Sequence, residues 1–377
     1  MTRASPRDII PLVDLRPQHE ALKSELDQAV SRVFAKSEFI LGAEVEAFEA
    51  EFAAFCGVKH VVGCGNGTDA LELALWAIGV KPGDEVITVS HTFAATGEAI
   101  VRCGATPRFV DVNPDTLLMD LSRMEAAITP RTAAIVAVHL YGNCVDIESL
   151  LFVGRQHGIK VIEDAAQAHG ATTRGKRAGS VGDVGCFSFY PAKNLGACGD
   201  AGAIVTSDTE LAGRVRQARD HGRRGKYEHE FVGRNSRMDA IQGAILRIKL
   251  GHLEEWNVRR RQISKRYSDQ LQRIPGVTLV SPPAESESSR HLFVIQIEPR
   301  DSIRQVLLER GVATGVHYPL PLHKQPAFAH TGSQAHGTLP VTETAASRVL
   351  SLPLYPEMTD EAVDFVVEAL AASMSRA

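Results

Sequence analysis

No stretch of this chain is long and apolar enough to span a bilayer, and the opening "MTRASPRDIIPLVDLRPQHE" lacks an apolar core of signal-peptide length. The expectation is a soluble, cytoplasmic protein with no membrane partner. Charge of one sign is also scarce. Lys+Arg number 41 against 45 Asp+Glu, a formal charge of -4, so no electrostatic footprint argues for nucleic acid. Cysteine pairs are missing. Cys56, Cys64, Cys103, Cys144, Cys186 and Cys198 lie apart with no CxxC, which reads as reduced, buried thiols and excludes a disulfide frame or a zinc site. No GK[ST] loop and no GxGxxG occur, so ATP and dinucleotides are poorly supported. Internal repeats and low-complexity tails are absent too.

What is present is an alternation of short apolar runs with helical patterns between about residues 55 and 206. "HVVGCG" leads into "TDALELALWAIG", and "DEVITVS" into "TFAATGEAIVRCG". "TPRFVDV", "TAAIVAVHL", "KVIEDAA", "CFSFY" and "GAIVT" follow. Runs rich in Val and Ile between helices predict an α/β fold with a mostly parallel sheet covered on both faces. Ligands then sit outside the carboxyl ends of the strands. Leu253, Trp256, Ile263, Tyr267 and Leu271 recur at helical spacing, predicting one long helix over about Leu250–Ile274. A large domain over 1–250, with an N-terminal helical segment, and a smaller C-terminal α+β domain over 251–377 are expected. "SPPAESESSR" reads as a polar loop.

Three segments fall at predicted strand ends. In "GCGNGTDALELAL", a strand runs into glycines and Thr68-Asp69 open a helix, whose free amides and dipole favour an anion. In "VIEDAAQAHGA", Asp164 follows an apolar strand, where a carboxylate is costly unless paired. Such a carboxylate can hold a proton on a pyridine-type nitrogen, and Gln167, three residues on, reaches the same ligand if the segment turns helically. In "GCFSFYPAKNLGACGDAGAIVT", Lys193 sits in a tight loop after Ser188. A lysine captures carbonyls once desolvation lowers its pKa towards roughly 7–8. Singly, each has a plainer role: a glycine turn, a helix cap, a solvated loop lysine. Together they are the parts needed to hold pyridoxal phosphate.

The order "GTDAL … EDAAQAHGA … FSFYPAKNLGACGDAGAIVT … GRNSRMDAIQGAIL" resembles the DegT/StrS family of sugar-nucleotide aminotransferases. These are pyridoxal-phosphate enzymes of fold type I, the aspartate aminotransferase-like fold. The resemblance runs from "PLVDLRPQHEALKSELDQAV" to "SLPLYPEMTD". It implies that Lys193 carries the internal aldimine, Asp164 pairs with the pyridine nitrogen, Gln167 contacts the ring oxygen and Phe93 stacks on the ring. It implies that Thr68, Asp69 and Ser188 hold the phosphate, and that Asn235 reaches the cofactor of a neighbouring subunit, giving a homodimer with shared sites. Glutamate as amino donor and ping-pong kinetics are further family expectations.

"GVHYPLPLHKQPAF" resembles members that aminate a 3-oxo sugar linked to a nucleoside diphosphate. There, residues matching His317, Tyr318, Arg237 and Phe39 face the sugar nucleotide; arginine suits a diphosphate through its forked donors. Packing against prolines is the plainer account of His317 and His323. The rivals are the same chemistry on a 4-oxo sugar, a non-catalytic pyridoxal-phosphate-binding regulator, and a dehydratase or aldolase on this fold.

Overall fold

The computed structural model describes residues 9 to 374. At its centre lies an eight-stranded sheet in the order His60–Cys64, Gly202–Thr206, Val184–Ser188, Lys160–Asp164, Thr132–Val138, Glu85–Val89, Thr106–Val110, Gln334–Ala335. Gly202–Thr206 is antiparallel to both neighbours, and every other pairing is parallel. The inner strands are buried along nearly their whole length, which is why they read as unbroken apolar runs. Helices Gly67–Ala77 and Ala94–Arg102 cover one face around Leu71, Leu75 and Ile100. Helix Ile147–His157 packs on the other through Ile147 and Leu150.

This topology gathers chemistry at one edge. The parallel strands end there at Cys64, Val89, Asp164 and Ser188, and the antiparallel strand begins there at Gly202. In register, Gly202 sits between Cys64 and Ser188.

Beyond residue 250 a three-stranded antiparallel sheet forms from Thr278–Leu279, Phe293–Gln296 and Val349–Leu352. Ile263, Tyr267 and Leu271 bury against Phe293, Ile303, Val363 and Leu370 in a separate core. The long helix is shorter than its pattern predicts. Helix Ala240–Leu250 ends at Gly251, and a new helix runs Leu253–Leu271. The "SPPAESESSR" loop contributes Ser286–Glu287, which pair with Thr172–Thr173. The chain then returns to the large sheet, with Gln334–Ala335 beside Arg108–Phe109 and Leu322 and Phe328 buried against Phe109. The thiols correct the expectation of uniform burial. Cys56, Cys64, Cys144 and Cys186 are buried and Cys103 is half-buried, but Cys198 is exposed on the outside of the Lys193 loop.

Candidate active site

A cavity of about 510 Å³ opens at this edge, lined among others by Gly67, Thr68, Phe93, Thr96, Asp164, Gln167, Ser188, Lys193, His317 and Tyr318. At one end Asn66 caps helix Gly67–Ala77, its Oδ1 accepting from the Asp69 amide at 2.8 Å. Among the described residues nothing accepts from the amides of Gly67 and Thr68, so two free N–H groups and the positive helix end border the cavity. Three backbones meet here closely. A Cβ at Gly67 would lie 2.5 Å from the Ser188 Cβ, and one at Gly202 would lie 2.3 Å from the Asn66 carbonyl oxygen.

Lys193 and Asp164 share the cavity's inner part. Burial pushes the Lys193 ammonium down to about 8, with the Asp164 charge opposing that fall. The residue is half-buried, its open surface belonging to the cavity. Asp164 is 6% exposed, and burial raises its pKa against hydrogen bonds from Thr96 Oγ1 at 2.8 Å and the Ala166 amide at 3.2 Å. Those two donors hold the carboxylate in one orientation. The residues after Asp164 form a turn closed by Ala168 N–H to the Ala165 carbonyl, not a helix. That turn brings Gln167 back to the cavity.

The opposite wall comes from the chain beyond 310. Gln167 Oε1 accepts from the Tyr141 amide at 2.7 Å, and its Nε2 donates to the Tyr318 hydroxyl at 3.1 Å. The Tyr318 ring lies 5.8 Å from Phe93, tilted by 42°. His317 Nδ1 meets Ser351 Oγ at 2.8 Å, and burial holds its imidazole down at about 4. His323 does not line the cavity; its Nδ1 meets Ser90 Oγ at 2.7 Å and its Nε2 meets Glu343 at 3.2 Å.

Thr68, Phe93, Asp164, Gln167, Ser188, Lys193, His317 and Tyr318 are thus brought together. Asp69 opens away from the lining; its carboxylate accepts from Ser236 Oγ at 2.6 Å and Asn66 Nδ2 at 3.1 Å. Arg237 pairs with Asp220 at 3.1 Å, Phe39 packs edge-on against Phe34, and Asn235 is exposed; none of the three lines the cavity. Sequence reasoning missed Asn66, Thr96, Tyr190 and Asp200. Asn66 carried a legible signal, an Asn one residue before a helix. Thr96 carried none, because only the fold sets it against Asp164.

Comparison with known proteins decides the class. The DegT/DnrJ/EryC1/StrS aminotransferase family matches residues 20–371. The chain belongs to this family. A UDP-N-acetyl-3-dehydro-alpha-D-glucosamine 3-aminotransferase of Acidithiobacillus ferrooxidans is 46% identical, the match covering 94% of this chain and 95% of that one. The structure of DesV from S. venezuelae, solved with a ketimine intermediate, superposes with a TM-score of 0.95 at 45% identity, covering 98% and 100% of the two chains. NtdA from Bacillus subtilis, solved with bound cofactor PMP, gives 0.88 at 34% identity over 99% and 87%. This aminotransferase has the pyridoxal-phosphate fold type I, and pyridoxal phosphate is its cofactor. The residues fit that group. Two free amides with Ser188 suit a phosphate, a buried carboxylate suits a protonated ring nitrogen, and an amine held near 8 suits an aldehyde.

Proposed function

We propose that this aminotransferase converts a nucleotide-linked 3-oxo sugar to the 3-amino sugar, drawing nitrogen from L-glutamate in two half-reactions at one site. The observation that carries the reading is the shared cavity. In it the Lys193 amine, with its pKa near 8, lies with buried Asp164 and an anion-binding helix start, under a wall bearing His317 and Tyr318. The "HYPLPLH" segment and the relative named for a 3-dehydro substrate favour carbon three over carbon four.

Bound pyridoxal phosphate supplies the conjugated ring that withdraws electrons from the amino-bearing carbon. The chain does the rest. Gly67 and Thr68 amides, the Thr68 hydroxyl and Ser188 bind the phosphate, and the helix end adds its dipole. Asp164, oriented by Thr96 and Ala166, holds the positive charge on the ring nitrogen. Lys193 would hold the cofactor's aldehyde, and its amine, neutral above about pH 8, would move the proton at the donor's alpha carbon. Phe93 would cover one face of the ring and exclude water there. His317, held neutral by burial, and Tyr318 would face the sugar, and Arg237 and Phe39, which do not line the cavity, would meet the nucleotide. Asn235, exposed here, completes the phosphate site of a second copy in a homodimer.

The test is a product assay. The enzyme is incubated with glutamate and separate 3-oxo and 4-oxo nucleotide sugars, and products are read by mass and NMR. A 3-amino product is expected; turnover with 4-oxo sugars alone overturns the assignment.

A further inference from the structure

Tyr141 does not line the cavity, yet its amide and its hydroxyl both bond to residues that do. The residue is 2% exposed and sits in the left-handed region at φ 62°, ψ 5°, a conformation that a tyrosine rarely adopts. Its amide donates to Gln167 Oε1 at 2.7 Å. Its carbonyl accepts from the amides of His291 at 3.1 Å and Leu292 at 3.4 Å. Its hydroxyl donates to the carbonyl of His317. Since Gln167 Nε2 in turn meets the Tyr318 hydroxyl, a closed ring runs Tyr141–Gln167–Tyr318–His317 and back.

His91 fixes the direction of that hydroxyl. It is fully buried, and burial holds its imidazole at about 4, so the ring is neutral and carries one proton. Nε2 lies 2.8 Å from the Tyr141 oxygen, and among the described residues Nδ1 has no partner. The Tyr141 hydroxyl has one proton and gives it to His317. The His91 proton must therefore sit on Nε2 and point at the tyrosine oxygen, leaving Nδ1 as a bare lone pair. An imidazole with an unmet nitrogen costs free energy in a core. A second, oriented donor at Tyr141 is what that cost obtains.

We propose that Tyr141, aimed by His91, is a positioning residue that locks the His317–Tyr318 segment in the geometry that receives the sugar. The proposal rests on the functional reading above, in which that segment faces the sugar nucleotide. Tyr141 acts on the acceptor side only. The amide bond to Gln167 survives loss of the hydroxyl, so the cofactor end and the donor half-reaction are independent of it.

The experiment compares the holoenzyme with Tyr141→Phe, which keeps the ring and removes one oxygen. KM for the keto nucleotide sugar is expected to rise about tenfold, while the rate of the glutamate half-reaction, followed by the change in cofactor absorbance, stays within about twofold. Hydrogen exchange gives a substrate-free readout: amides of residues 315–320 should exchange faster in Tyr141→Phe, and those of strand Lys160–Asp164 should not. Unchanged exchange across 315–320 overturns the proposal whatever the substrate proves to be. An equal loss in the glutamate half-reaction overturns it as well. Failure of the wild type to aminate any keto nucleotide sugar overturns the functional reading instead, and leaves the exchange result to judge Tyr141.

Discussion

A primary amine at position 193 that loses its proton near pH 8 has a measurable signature. Only the neutral amine attacks an aldehyde, so loading of pyridoxal phosphate into cofactor-free protein should speed up as pH rises through about 8 and then level off. Stopped-flow absorbance across pH 6.5 to 9.5 checks this; a flat profile contradicts it. Lys193→Ala should abolish both the covalent chromophore and turnover with circular dichroism unchanged. Asp164→Asn should keep the cofactor bound but cut proton abstraction severely, because an amide cannot keep the ring nitrogen charged. Thr96→Val removes the hydroxyl that donates to Asp164 and should lower kcat about tenfold, with glutamate KM nearly unaltered. Single residues were unequally legible beforehand. Lys193, Asp164 and Ser188 stand at the ends of apolar runs, where position itself marks them. Thr96 and Tyr141 lie inside stretches of ordinary helical or turn composition, and their roles come from neighbours 68 and 176 residues distant.

At the scale of elements, the start of helix Gly67–Ala77 is the least forgiving part of the site. Gly67→Ala would drive a methyl to 2.5 Å from the Ser188 Cβ, on backbone that cannot retreat because Gly202 is pressed on the Asn66 carbonyl. Cofactor affinity should fall at least about tenfold, read by fluorescence titration of cofactor-free protein. Unaltered affinity would mean the strands part more readily than their packing indicates. Strands were easier to see than helix limits. Val- and Ile-rich runs mark strands buried on both faces, whereas the break at Gly251 hides in a pattern whose apolar spacing continues across it. Nor could spacing reveal that Gly202–Thr206 runs antiparallel, since burial is the same in either direction.

Across the whole molecule, the buried Lys193 ammonium is a liability until the cofactor is attached. Its pKa near 8 lies below the unfolded value of 10.5, so between these the unfolded chain binds more protons and stability rises with pH. Below pH 8 the full penalty applies, about 3 kcal/mol by order of magnitude. Cofactor-free wild type should therefore gain unfolding free energy from pH 8 to 10, a gain missing from Lys193→Met. Parallel denaturant curves for the two proteins over that interval would refute the assignment. The return of residues 322–343 to the large sheet has no counterpart in the sequence pattern, because a two-residue strand, Gln334–Ala335, is too short to show a period.

The crowding of Gly67, Ser188 and Gly202 constrains how proteins built on this plan can diversify. That half of the chamber is closed to remodelling, since a single added carbon has nowhere to go. New acceptor preferences must then arise by rewriting the far side, along the segment after residue 315, while the anion end passes unchanged from one specificity to the next.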